Sequence, residues 1–193
     1  MTQLENKTRR DYILEQAAQL FKERGYAATT MRDLAEALDI KAASLYNHID
    51  SKEALLSEIC FSFANRYMTA LTEIAGSSDP VAAKIEAVID LHITLGTHDA
   101  AAIIITNYEW KHLPEPQFSA FKTLRRRYEN QFLSLITEGV NAGMFRALDP
   151  QIVMFTILSA LQWIPFWFRP ERGLSVEELK NNIKLLIING LKI

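Results

Sequence analysis

Apolar residues recur at steps of three and four along most of this chain, and no segment alternates as a strand would. Over residues 6–24, Ile13, Ala17, Leu20 and Phe21 share one helical face, and Gly25 follows in the usual terminating position. Between residues 30 and 52 the pattern shortens. Met31, Leu34, Ala35 and Leu38 mark a brief helix that Thr30 can cap, with Asp33 three residues on. Asp39 then suits a left-handed turn. The next helix, 42–48, opens on the small residues Ala42, Ala43 and Ser44, continues through Tyr46, Asn47 and His48, and contains no acid. It is too short and too polar to be stable alone, so it must be presented to something. That is the form of a recognition helix in a helix-turn-helix. Leu34, Leu38, Leu45 and Ile49 are the expected partners of the first helix. Spacing by itself also admits a fragment of any helical bundle.

Residues 50–53 read as an Asp-x-x-Glu capping box. The helix it starts carries Leu56, Ile59, Phe63, Tyr67, Ala70 and Ile74 and runs to about Ala75. Residues 76–80, GSSDP, are the clearest break in the chain. Further helices are expected over 80–96, 98–111, 117–142, 150–168 and 175–190. Ile103, Ile104 and Ile105 are β-prone, yet their setting between alanines and a polar helix end favours helix. The expected class is therefore all-α. A helix-turn-helix DNA-binding domain at 1–52 would precede a helical ligand-binding and dimerisation domain at 53–193.

Composition changes this picture in a few places. The chain has 193 residues, 49% of them apolar, enough for a sizeable core, and its net charge of −2 carries no global signature of nucleic-acid binding. Even the first 52 residues hold eight positive and eight negative charges. DNA binding must then rest on where charges sit. Cys60 is the only cysteine, which excludes an intrachain disulfide and points to a reducing, cytoplasmic location. The N-terminus mixes acids and bases and does not read as a secretory signal. Residues 152–168 carry no charge, but Thr156, Ser159, Gln162 and Pro165 within them, and the soluble helix start Asp149-Pro150, favour a buried helix over a membrane span. His48, His92, His98 and His112 show no metal-ligand spacing, and the chain has no CxxC, phosphate loop or nucleophile elbow. No enzyme activity, metal or cofactor is expected.

Aromatic residues crowd the second half: Tyr108 and Trp110, then Phe118, Phe121, Tyr128 and Phe132, then Trp163, Phe166, Trp167 and Phe168. Most should pack in the core. Arg125 is different, because it falls on the apolar stripe between Phe121 and Tyr128, while Arg126 and Arg127 turn toward water. An arginine on that face needs a partner. An acid such as Glu109, or an anionic ligand, would each serve. Arg169 and Arg172, flanking Pro170, form either a second basic spot or a solvated helix end. The helices at 150–168 and 175–190 are apolar on more than one face, so a second copy of the chain is the expected cover. A helix-turn-helix also works best as a dimer on a two-fold site.

The run FKERGYAATTMRDLAEALDIKAASLYNHIDSKEALL resembles the TetR family of bacterial transcription regulators. Tyr46, His48, Ile49, Lys52 and Leu55 stand at the family's Tyr-x-His-Phe-x-x-Lys-x-x-Leu positions. Asp39 replaces the family's turn glycine, and Ile49 its phenylalanine. The resemblance implies a homodimeric repressor on a palindromic DNA operator, released by a small-molecule effector. By position it implies DNA contacts at Thr30, Lys41, Ala42, Ala43, Ser44, Tyr46, Asn47, His48 and Lys52. In the C-terminal half, the motifs YEWxxLP, EGxxxGxFR and WxxxWFRP look like the branch that senses CoA thioesters in fatty-acid, phenylacetate, sterol or branched-chain acid degradation. The ligand residues implied are Tyr108, Trp110, Phe121, Arg125, Tyr128, Phe132, Trp163, Trp167 and Arg169. Two other readings stand beside it. One is an efflux-type regulator sensing a neutral hydrophobe. The other is a helical acyl-CoA-binding enzyme or carrier that never touches DNA.

Overall fold

The structure, a computed structural model, describes residues 8–192. Among these it forms nine α-helices: α1 Arg9–Arg24, α2 Met31–Ala37, α3 Ala42–Tyr46, α4 Lys52–Gly76, α5 Val81–His98, α6 Ala100–Tyr108, α7 Gln117–Asn141, α8 Pro150–Trp167 and α9 Val176–Leu191. The first residues of the expected 6–24 helix lie outside the described part. A single bridge between Phe145 and Lys192 is the only β pairing described. The all-α class is as expected.

Local chemistry sets most of the helix starts. Thr8, Thr30 and Ser175 each build a reciprocal capping box, with Asp11, Asp33 and Glu178 respectively. Asp149 accepts hydrogen bonds from the backbone N–H groups of Gln151 and Ile152 ahead of Pro150. One expected cap is corrected. At the start of α4 the side chain of Ser51, not Asp50, accepts the Ala54 N–H at 3.0 Å. The single helix expected over 98–111 is also corrected: α5 runs on to His98, α6 stops at Tyr108, and a separate 3-10 turn spans Trp110–His112. Asp39 takes φ +52°, the left-handed conformation its type tolerates.

The chain forms two compact units. The first comprises the chain up to Phe63 together with Ala101–Phe121; the second comprises Ala64–Ala100 together with the chain from Lys122. The first unit closes on Ile13, Ala17, Leu20 and Phe21 of α1 and on Leu34, Leu38, Leu45 and Ile49, all buried. In the second, α5 packs against both α8 and α9 around Ile85, Ile89, Ile93, Phe132, Ile157 and Leu161. The Lys184 ammonium reaches Asp90 at 2.8 Å and ties α9 to α5. Among the described residues, no single helix is long and apolar enough to cross a membrane.

Candidate functional site

The short helix α3 is anchored by Leu45, which is fully buried, and by Ile49 just after it. Lys41 starts it without a side-chain cap. The outward edge carries Lys41, Ala43, Tyr46, Asn47 and His48, all exposed, while Ala42 and Ser44 are half-buried. Tyr46 exposes 52% of its surface, far more than a packing tyrosine would. A shallow depression of about 380 Å³ lies beside this edge and brings Thr30, Tyr46 and Lys52 together with Ala27 and Ser51. Asp50 and Glu53 share that lining. Small residues and exposed donors on one edge can approach a nucleic-acid groove closely, with Asn47 suited to base edges and Tyr46, His48 and Lys41 to phosphates.

Two cations outside α3 act on the segments around it. Arg10 of α1 grips the Glu58 carboxylate with Nε at 2.7 Å and Nη2 at 2.6 Å, and its Nη1 donates to the His48 carbonyl at 3.0 Å. The hydrogen bond and charge of Glu58 push the Arg10 pKa further up. Lys52, implied as a DNA contact, is half-buried. Its ammonium donates to the carbonyls of Tyr26 at 3.0 Å and Thr29 at 2.8 Å, and lies 4.4 Å from the centre of the Tyr26 ring. The His112 ring also stacks against Tyr26, with centroids 5.4 Å apart. Burial first, then the charge of Glu53, push the Tyr26 phenol up to about 12, so it stays neutral. Sequence reasoning missed Arg10, Tyr26 and His112, because their partners lie far away along the chain.

The nine residues implied as ligand contacts divide between the two units. In the first unit, Trp110 stacks on Phe118 at 5.3 Å and lies 5.8 Å from Phe121, while Tyr108 is exposed. In the second, Phe132 is fully buried in the core and Arg125 is half-buried rather than buried. Tyr128 shares a 2.7 Å hydrogen bond with Nε2 of His92, and Tyr67 lies 4.6 Å from the same imidazole. Burial holds His92 down at about 4 and raises both tyrosines, so the cluster is neutral at ordinary pH. His92 is one turn from Val88, Ile89 and Leu95 on the buried face of α5, a signal the sequence carried. Trp163 and Trp167 on α8 are 57% and 43% exposed. Arg169 turns its guanidinium back onto the carbonyl of Phe168 at 2.7 Å, closing the end of α8. Among the described residues, no group of His, Cys, Asp or Glu could hold a metal ion.

Comparison with known proteins decides the family. The model described as "Bacterial regulatory proteins, tetR family" matches residues 13–59, and "Tetracyclin repressor-like, C-terminal domain" matches residues 78–191. The chain belongs to the TetR family. It is a helix-turn-helix, DNA-binding transcriptional repressor of that type. The HTH-type transcriptional repressor KstR2 of Rhodococcus jostii is 31% identical over 185 residues, covering 95% of this chain and 91% of that protein. The solved ketosteroid transcriptional regulator KstR2 of Mycobacterium tuberculosis superimposes with a TM-score of 0.91 at 26% identity, over 98% of this chain and 97% of that one. AibR, solved in complex with isovaleryl coenzyme A and operator DNA, gives a TM-score of 0.81 at 25% identity, over 93% and 97%.

Proposed function

We propose that this TetR-type repressor binds a two-fold symmetric operator as a homodimer and leaves it when an acyl-CoA or related CoA thioester binds. The observation that carries the effector class is the likeness, along nearly the whole chain, to AibR, which was solved with both isovaleryl coenzyme A and operator DNA. The likeness to KstR2, described as a ketosteroid transcriptional regulator, agrees with an effector that has a large apolar portion.

The DNA side of this reading rests on Thr30, Lys41, Ala42, Ala43, Ser44, Tyr46, Asn47 and His48. The effector side rests on α7 in the second unit, with Arg125 for a phosphate of the CoA and Tyr128 for the acyl portion. The dimer side rests on the outer faces of α8 and α9. Ile152, Phe155, Trp163, Phe166 and Trp167 on the first, and Leu185 and Leu186 on the second, are exposed apolar side chains that a second copy would cover. The effector then shifts the population between DNA-competent and incompetent dimers, with α4 joining the helix-turn-helix to the rest of the chain.

A calorimetric titration with a series of acyl-CoAs, alongside neutral hydrophobes, tests the effector class. Heat from a CoA ester and none from the neutral compounds is expected; the reverse overturns the CoA reading. The Arg125→Ala variant should weaken the acyl-CoA response about tenfold or more, the worth of one charge-assisted phosphate contact, while operator affinity stays near that of the unaltered protein. Unchanged release in that variant would remove Arg125 from the site.

A further inference from the structure

We propose that Arg10 and Lys52 are positioning residues for the recognition helix rather than phosphate ligands. Two cations near a DNA-reading helix would ordinarily be assigned to the backbone of the duplex. Here both are already committed. The Lys52 ammonium has three N–H groups: two are directed at the carbonyls of Tyr26 and Thr29, and the face of the Tyr26 ring lies 4.4 Å away. These partners satisfy it in a half-buried position, where withdrawing it toward a phosphate would leave two carbonyls orphaned. Arg10 uses all three guanidinium nitrogens, two on Glu58 of α4 and one on the carbonyl of His48.

The consequence for α3 follows from its size. It has five residues, no side-chain cap at Lys41, and one fully buried anchor in Leu45. A helix of that length does not hold its own direction. Arg10 fixes the backbone where the segment after α3 leaves, at His48. Lys52 fixes the loop at Tyr26 and Thr29 that leads into α2, and does so from the first residue of α4. Both clamps end on α4, so the pose of α3 is set relative to that helix. Specific base readout depends on the pose to within fractions of an ångström, whereas non-specific attraction to phosphates does not.

The reading rests on α3 as the groove-reading helix, and a binding experiment separates the two. A duplex enriched by the unaltered protein from a randomised pool serves as the specific site, and a scrambled duplex of equal length as the non-specific one. Affinity for each is measured over a range of salt for the full-length protein and for Arg10→Met, Arg10→Lys, Lys52→Met and Lys52→Arg, with Tm recorded for all five. Affinity for the selected duplex is expected to fall about tenfold or more in each variant, Lys52→Arg and Arg10→Lys included, because retained charge does not restore the geometry. Affinity for the scrambled duplex and the slope of log K against log salt should not change. Parallel loss on both duplexes, with a slope smaller by about one and rescue by Lys52→Arg, would make Lys52 a phosphate ligand and overturn the proposal. A lowered Tm with full affinity in the folded protein would reduce both residues to scaffold and overturn it as well, as would no effect. If the unaltered protein enriches no duplex, α3 as reader falls first and the proposal with it. Should either methionine variant fail to fold, Lys52→Arg and Arg10→Lys carry the test.

Discussion

At the level of single residues, buried neutral groups control how the second unit responds to acid. Burial lowers the pKa of His92 from 6.5 to about 4. As pH falls through 6.5 the unfolded chain takes up this proton first, so stability declines until the folded protein titrates near 4 and is then constant for this group. The decline should be on the order of 3 kcal/mol across that window. Chemical denaturation at pH 7 and pH 5 should show it, and His92→Phe should flatten the curve. Gly139 makes a second residue-scale case. A Cβ there would lie 2.2 Å from two atoms of the Phe145 ring, which is itself buried. Alanine gains about 1 kcal/mol over glycine in a helix, but overpacking against a fixed ring costs about 1–3 kcal/mol and more at such a distance. Gly139→Ala should therefore lower Tm despite its better propensity, and adding Phe145→Leu should recover part of the loss. The sequence marked Gly139 and Phe145 within one motif but did not say that one exists to admit the other.

Among the elements, helix starts were the most legible feature and helix ends the least. Thr30 with Asp33, and Asp149 with Pro150, cap α2 and α8 as their residue types require. At α4 two residues compete for the same role, and the backbone chose Ser51 over Asp50. Ser51→Ala should then cost about 1 kcal/mol in denaturant unfolding, while Asp50→Ala should change stability by less than about half of that. Equal losses in the two variants would contradict the geometry. The split of the expected 98–111 helix into α6 and a 3-10 turn could not be read from periodicity, since Trp110 and Leu113 continue the apolar spacing. The stacking of Trp110 on Phe118, a residue beyond the turn, accompanies the break.

At the scale of the whole molecule, α8 and α9 carry exposed apolar side chains among the described residues. Ile152 is 68% exposed, Trp163 57%, Leu185 62% and Leu186 73%. These side chains should close against a second copy. Phe155→Glu and Leu186→Glu should both shift the protein to monomer in sedimentation velocity, with loss of operator binding at concentrations where the unaltered protein binds fully. Variants that stay dimeric would place the interface elsewhere, and a monomeric unaltered protein would overturn the dimer.

The sequence by itself determined the all-α class, the helix-turn-helix and the apolar excess of the last two helices, because each depends on local periodicity and capping within a few residues. Tertiary structure decided which side chains are spent on the fold. Arg10 and Glu58 are 48 residues apart and Lys52 and Tyr26 are 26 apart, so no local pattern could reveal that these cations are engaged. The tryptophans of α8 show the same limit. Spacing places them on a helix face, but only packing decides whether that face turns inward to a ligand or outward.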